Sequence, residues 1–167
     1  MSTINLDYIQ VKPPQLKLNS FSIDHIFSKP LDSCWKILNH SDTFSKHQLF
    51  PYNVEFFPLN KSSTNHMQEK VWTNHHGPLL SAAGQLVTLT PQSYRDLHYN
   101  YGSYAISFRL IRPVRLQLFF TALESNKTKV TVQFDTYVAS WFNTLWTYIQ
   151  YLFWKPFFYS VNLSIKH

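Results

Sequence analysis

The last stretch of the chain, from Ser140 to Ile165, carries a helical pattern in which almost no side is polar. Asn143, Thr147 and Gln150 form a narrow stripe, while Trp141, Phe142, Leu145, Trp146, Ile149, Leu152, Phe153 and Trp154 cover most of the remaining circumference. Ser140 is an available N-cap, and roughly seven turns of helix fit the segment. Such a helix needs burial on more than one side, against a sheet and additionally against a thick core, a bound ligand, a membrane surface or another subunit. It is not read as a bilayer span, because Asn143, Gln150 and Lys155 lie within it and Pro156 interrupts its hydrogen bonding. Pro156 lacks an N–H and clashes with the carbonyl of Leu152, which predicts a kink.

Most of what precedes this helix reads as strands. Phe21, Ile23, His25 and Phe27 alternate with polar Ser22 and Asp24, giving a first strand that ends at Pro30. Leu31, Cys34, Trp35 and Leu38 then recur at helical spacing, and a second short helix, capped by Ser41 or Asp42, runs to about Leu49. Further strands are predicted at 52–59, 66–74, 79–90 and 93–101, separated by turns at Asn60–Asn65, His76–Pro78, Pro91–Ser93 and Tyr101–Ser103. Tyr104, Ile106, Phe108 and Leu110 alternate, Pro113 interrupts, and Leu116, Leu118 and Phe120 resume, so 104–123 is one kinked strand or two. Val130, Val132, Phe134, Thr136 and Val138 make the last strand. Short turns imply antiparallel neighbours, and the class is α+β. Residues 1–18, with Pro13 and Pro14 and little periodicity, read as an extended arm outside the core, leaving 19–167 as one domain.

Composition narrows the function classes. The single cysteine, Cys34, makes no internal bridge and reads as a small buried hydrophobe; no leader opens the sequence, so a reducing, cytoplasmic setting is expected. The net charge of +6 comes from scattered lysines rather than a run, which argues against a nucleic-acid partner. Aromatics make up 17% of the chain, which suits either a thick core or the walls of an apolar pocket. There is no phosphate loop, zinc-protease motif or nucleophile elbow. His75 and His76 have no cysteine or carboxylate at ligand spacing, so neither a metal nor a cofactor is expected. Asp24, Glu55, Glu69, Asp96 and Asp135 alternate with apolar strand residues and are read as facing water.

On the N-terminal side the run Ile23-Asp-His-Ile-Phe27-Ser-Lys-Pro30-Leu-Asp-Ser-Cys-Trp35-Lys-Ile-Leu38, followed by Asn39-His-Ser-Asp42, resembles the START-like, or helix-grip, superfamily. That superfamily includes polyketide cyclases, birch-pollen allergen relatives and lipid-transfer domains. The resemblance implies a curved antiparallel sheet of about six to seven strands gripping the long C-terminal helix, with two short helices after the first strand and a cavity between sheet and helix. Members hold lipids, polyketides, sterols and other apolar molecules, and only some are enzymes.

Candidate ligand-binding residues are those expected to face such a cavity. They are His25, Trp72, Tyr99, Tyr101, Phe108, Trp141, Leu145, Trp146, Ile149 and Phe153. Among them His25 and the tyrosines also suit proton transfer or orientation of a ligand's polar end. Arg109, Arg112 and Arg115 form the one local basic cluster, suited to a carboxylate, a phosphate or an anionic membrane surface. Three functions stay open: carriage of a small hydrophobic ligand such as a lipid or polyketide-like molecule, a cyclase or dehydratase acting on a polyketide-like substrate, and peripheral membrane association.

Overall fold

A computed structural model of the protein describes residues 6–57 and 67–164. Its strands are β1 (Leu16–Phe27), β2 (Asn53–Phe57), β3 (Trp72–Gly77), β4 (Leu80–Thr90), β5 (Tyr94–Tyr99), β6 (Tyr104–Ala105), β7 (Ile111–Glu124) and β8 (Lys127–Ala139). Its helices are α1 (Leu31–Leu38), α2 (Ser41–Lys46) and α3 (Asn143–Ser164), the last preceded by a 3₁₀ turn at Ser140–Phe142. One antiparallel sheet of eight strands runs in the order β1-β8-β7-β5-β4-β3-β2, with β6 paired to β4. The α+β class and the element order are those expected, with one small strand more.

That extra strand settles the segment 104–123, which is two strands. Ile106 takes a left-handed backbone (φ 69), and Leu110 and Ile111 bond back to the carbonyl of Ser107, so the chain turns before β7 begins. Pro113 then stands at a β-bulge inside β7 rather than at a break. The predicted strand at 66–74 also moves: β3 starts at Trp72 and pairs through Gly77 with Leu80, tightening the hairpin tip to Pro78 and Leu79. Helix α2 stops at Lys46, and His40 rather than Ser41 or Asp42 occupies its N-cap. The turn predicted at Asn60–Asn65 lies outside the described residues.

The core lies between the inner sheet face and the helices. Val130 and Val132 of β8, Leu118 of β7 and Phe27 of β1 are fully buried, each contributing roughly 1.5–3 kcal/mol of hydrophobic stabilisation. Cys34, Trp35 and Leu38 bury one face of α1, and the Trp35 ring meets Phe120 edge-on at 5.0 Å. Gly84 lets β4 approach β5, since a Cβ there would sit 2.7 Å from the carbonyl oxygen of His98.

The segment upstream of the first strand is part of the packed structure. β1 begins at Leu16, earlier than expected, and Leu6 and Gln10 are buried. Gln10 Nε2 donates to the carbonyls of Tyr99 (3.0 Å) and Pro113 (2.8 Å), and the Tyr137 hydroxyl donates to Gln10 O (3.0 Å). Tyr8 lies edge-on to His98 at 5.9 Å. Residues 6–15 thus form a strap tied to β5, β7 and β8, where the sequence suggested an extended arm outside the core.

Outward-facing polar residues near this strap are correspondingly dry. Asp96 and Asp135 are buried, against the expectation that both face water. Ser20 Oγ donates to Asp135 at 2.6 Å. Asp96 accepts from Arg115 Nη2 (2.6 Å) and Nε (2.9 Å) and from the Tyr94 hydroxyl (2.9 Å), with His98 Nε2 at 3.3 Å. Burial alone would push the Asp96 carboxyl up; hydrogen bonds from His98, Arg115 and Tyr94 and the charge of Arg115 outweigh it and bring the pKa to about 2.

A depressed carboxylate pKa stabilises the fold above the ordinary value of 3.8, and that contribution disappears as pH falls from there toward about 2. Replacing Asp96→Asn is therefore expected to cost about 2 kcal/mol at neutral pH. The deficit relative to the unmodified chain should shrink on acidification through the same window. Urea unfolding of both proteins at stepped pH measures it; a deficit constant down to pH ~2 would contradict the assignment.

Candidate functional site

Helix α3 is held at both ends, and midway Tyr151 meets Phe21 of β1 edge-on (4.9 Å), while its side bearing Ile149 and Phe153 stands off the sheet. At its start, Asn19 Nδ2 of β1 donates to Asn143 Oδ1 (2.8 Å) and Thr147 Oγ1 (2.9 Å), and Trp146 Nε1 donates to Thr136 Oγ1 of β8 (2.9 Å). Near its other end, Phe158 stacks on His25 (4.9 Å, 8°) and meets Phe27 edge-on, while Phe157 stacks on Phe44 of α2 (5.2 Å). His47 Nδ1 and Ser160 Oγ share a hydrogen bond of 2.7 Å. The polar stripe of the helix thus faces the protein: Asn143 and Thr147 anchor it to β1, and Gln150 is buried.

Between these clamps lies a cavity of about 480 Å³. Its walls are Tyr99, Leu116 and Phe134 from the sheet, Trp146, Ile149, Phe153 and Trp154 from α3, and Phe44 from α2. Ala82 and Ala105 give it room where larger side chains would fill it. The mouth is bordered by Leu49 and Tyr52, by Leu79 at the β3–β4 tip, and by Ile106 and Leu152. Leu79 and Ile106 both carry left-handed backbone (φ 59 and 69), and the N–H of Ile106 donates to Leu79 O, pinning the two together. Such conformations in branched residues are strained and persist only when the surroundings impose them.

Two residues of the cavity walls carry a buried nitrogen with no hydrogen-bond partner among the described residues: His75 Nε2 and Trp154 Nε1. His75 sits on the inner face of β3, paired with Ala82 of β4, with its ring 5.7 Å from that of Tyr99. Burial, then the positive charges of Arg95 and His76, lower its pKa from 6.5 to about 4, so the imidazole is neutral at physiological pH. A buried neutral nitrogen without a partner can receive or give a hydrogen bond to a guest. Burial likewise raises the Tyr99 hydroxyl, which stays protonated.

Of the residues expected at the site, Tyr99, Trp146, Ile149 and Phe153 line the cavity. His25 does not: its inward ring is taken up by Phe158 and Phe27, under the C-terminal part of α3. Trp72 lies on the outward register of β3 and is exposed. Tyr101 falls beyond the end of β5 and is 80% exposed, and Phe108 sits in the turn before β7. Trp141 and Leu145 occupy the outer side of the helical segment, 76% and 51% exposed, because the buried stripe is Trp146, Gln150, Trp154, Phe157 and Val161. Of the arginines, Arg115 stands apart, bound to Asp96, while Arg109 and Arg112 both lie over the Phe108 ring (5.9 and 5.8 Å), Arg112 also over Tyr101 (5.2 Å).

His75 and Arg95 were missed as candidates. The signal for both was period two: Arg95 alternates with Leu97 and Tyr99, and His75 with Thr73, so each belongs to the inner face by the rule that placed Tyr99 there.

A neutral His75 makes the fold acid-sensitive. Its depressed pKa gives stability that is complete above the ordinary value of 6.5 and is lost as pH falls toward about 4. Replacing His75→Phe should remove up to about 3 kcal/mol of this pH dependence and leave stability at neutral pH equal or higher. Thermal or urea unfolding at stepped pH reads the difference, and parallel curves for the two proteins would refute it.

Neither a protein-family model nor a curated protein sequence matches the chain. Solved structures do. A protein from Mesorhizobium loti superposes with a TM-score of 0.64 at 11% identity, over 89% of this chain and 97% of its own. Norcoclaurine synthase from Thalictrum flavum, solved with dopamine and hydroxybenzaldehyde, gives 0.60 at 9% identity, over 92% and 90%. An aromatase/cyclase from a Streptomyces species gives 0.53 at 13% identity, over 73% and 68%. At such identities the likeness shows the fold alone: the chain has the START-like, helix-grip architecture.

Proposed function

We propose that this helix-grip protein binds a small, largely apolar molecule with one polar end in the cavity between α3 and the sheet. The carrying observation is a cavity of about 480 Å³ walled by aromatic and aliphatic side chains, two of whose lining residues, His75 and Trp154, carry a buried ring nitrogen without a hydrogen-bond partner among the described residues. A pocket of this size and lining suits a drug-sized apolar guest, with the few polar atoms fixing its orientation. His75 Nε2 and the indole N–H of Trp154, which lack a partner among the described residues, suit a hydrogen bond to the polar end of such a guest. The exposed apolar mouth gives such a guest its route of entry.

One observation favours catalysis as a second reading. His75 is a neutral imidazole in an apolar cavity beside the Tyr99 ring, the kind of environment in which a cyclase or dehydratase moves a proton on a folded polyketide-like chain. On that reading His75, not His25, is the proton carrier. His75→Phe would then abolish turnover of a polyketide-like substrate while leaving apolar binding in place; for a carrier there is no turnover to lose.

The binding reading is tested with N-phenylnaphthylamine, a neutral dye that fluoresces in apolar surroundings. Titration of the full chain should give saturable binding, weakened at least about tenfold by Ala105→Trp, which places an indole in the cavity. Ala82→Phe, from the facing strand, should do the same, and circular dichroism confirms that each variant is folded. Absence of saturable binding to the unmodified chain, or undiminished binding in both folded variants, would defeat the reading.

A further inference from the structure

Beyond the cavity wall stands a buried cation that the apolar-ligand reading leaves unused. Arg95 of β5 is 5% exposed and faces inward with Leu97 and Tyr99. Its Nη1 donates to the carbonyl of Leu38 at the C-terminus of α1 (2.8 Å) and contacts Met67 Sδ (2.9 Å), and its guanidinium lies over the Phe44 ring at 4.5 Å. These contacts ease the burial of a positive charge through a helix C-terminus and a π-face. They do not neutralise it. Among the described residues no carboxylate forms an ion pair with Arg95, and the described hydrogen bonds use only one of its three nitrogens. The neighbouring acid on its own strand, Asp96, points to the opposite face and is bound to Arg115. A guanidinium has five N–H donors in a planar fork matched to a carboxylate.

Arg95 also borders a hollow of about 20 Å³, and this hollow shares the walls Phe44, His75 and Leu116 with the main cavity. A space of that size holds about one water-sized group, the footprint of a single anionic oxygen. We infer that the molecule held in the cavity is an amphiphilic acid, its apolar body against α3 and its carboxylate directed past His75 toward Arg95. This rests on the apolar-ligand reading and specifies the polar end that it leaves open. His75 is suited to the passage: as a neutral imidazole it donates an N–H to a carboxylate without adding a second buried charge. Burial holds the Arg95 pKa down to about 10, the sign of a cation short of a counter-charge, and a carboxylate would supply one.

Calorimetric titration of the full chain at neutral pH with dodecanoic acid, its methyl ester and dodecanol tests the inference. The acid should bind at least about tenfold tighter than either neutral analogue, as expected for hydrogen bonds to a charged group. Arg95→Met should erase that gap while holding the affinity for the ester within about twofold. Should Arg95→Met fail to fold, the comparison of acid with ester and alcohol on the unmodified chain decides alone. Equal affinities there would overturn the inference and leave the apolar-ligand reading standing, as would a gap that persists in folded Arg95→Met. Failure of all three compounds to bind would remove both.

Discussion

The structure depends on where α3 touches the sheet and where it does not. A helix laid flat on a sheet along its whole length buries one continuous stripe and leaves no interior space. Here the contact is made by the Asn19, Asn143 and Thr147 bonds with Trp146 on Thr136 at one end, by Phe157 and Phe158 against Phe44, Phe27 and His25 at the other, and along one edge between them by Tyr151 on Phe21. Aromatic side chains make this possible, because a ring reaches far enough to hold two backbones apart while still excluding water between them. The other edge of its middle, with Ile149, Phe153 and Trp154, is left facing a hollow.

The arrangement divides the polar groups of the interior into two kinds. On the outer side of the sheet, Arg115 and Tyr94 donate to Asp96, and such a network adds rigidity. On the inner side, His75, Trp154 and Arg95 are each short of partners. Buried polar groups are ordinarily paired, and His75 and Trp154 at the cavity, with Arg95 at the adjoining hollow, are the ones on which the proposed binding rests. The lower TM-score of the aromatase/cyclase and the higher one of norcoclaurine synthase both describe the same frame. They leave the chemistry of the guest to these residues.

Much of the frame could be read from the chain because alternation and helical spacing report directly on burial. Phe21, Val130, Val132, Phe134 and Leu118 fell on the inner face as their period demanded. The candidate site was legible only in part, for two physical reasons. An amphipathic pattern tells which face is apolar, and α3 is apolar on nearly all faces, so nothing in the sequence separated Trp146, which lines the cavity, from Trp141, which is exposed. A period-two pattern tells which side of a strand a residue takes but not what stands opposite. His25 was placed inward correctly, yet Phe158 occupies the space in front of it. His75 was weighed only as a metal ligand, and Arg95, beside Asp96 in a polar stretch, gave no sign of facing the core except its period with Leu97 and Tyr99. Leu79 and Ile106 owe their place at the mouth to left-handed backbone, which no side-chain pattern announces.

The amide of Gln10 grips the carbonyls of Tyr99 and Pro113, and the side chains of those same residues form part of the cavity lining. The proline-bearing stretch near the start of the chain is thus fastened to the back of the wall against which a guest would rest. Trimming the protein back to the start of its first strand, a common step when preparing a domain for biophysics, would remove these hydrogen bonds from the back of that wall, so the trimmed and full chains are not interchangeable in measurements on the cavity.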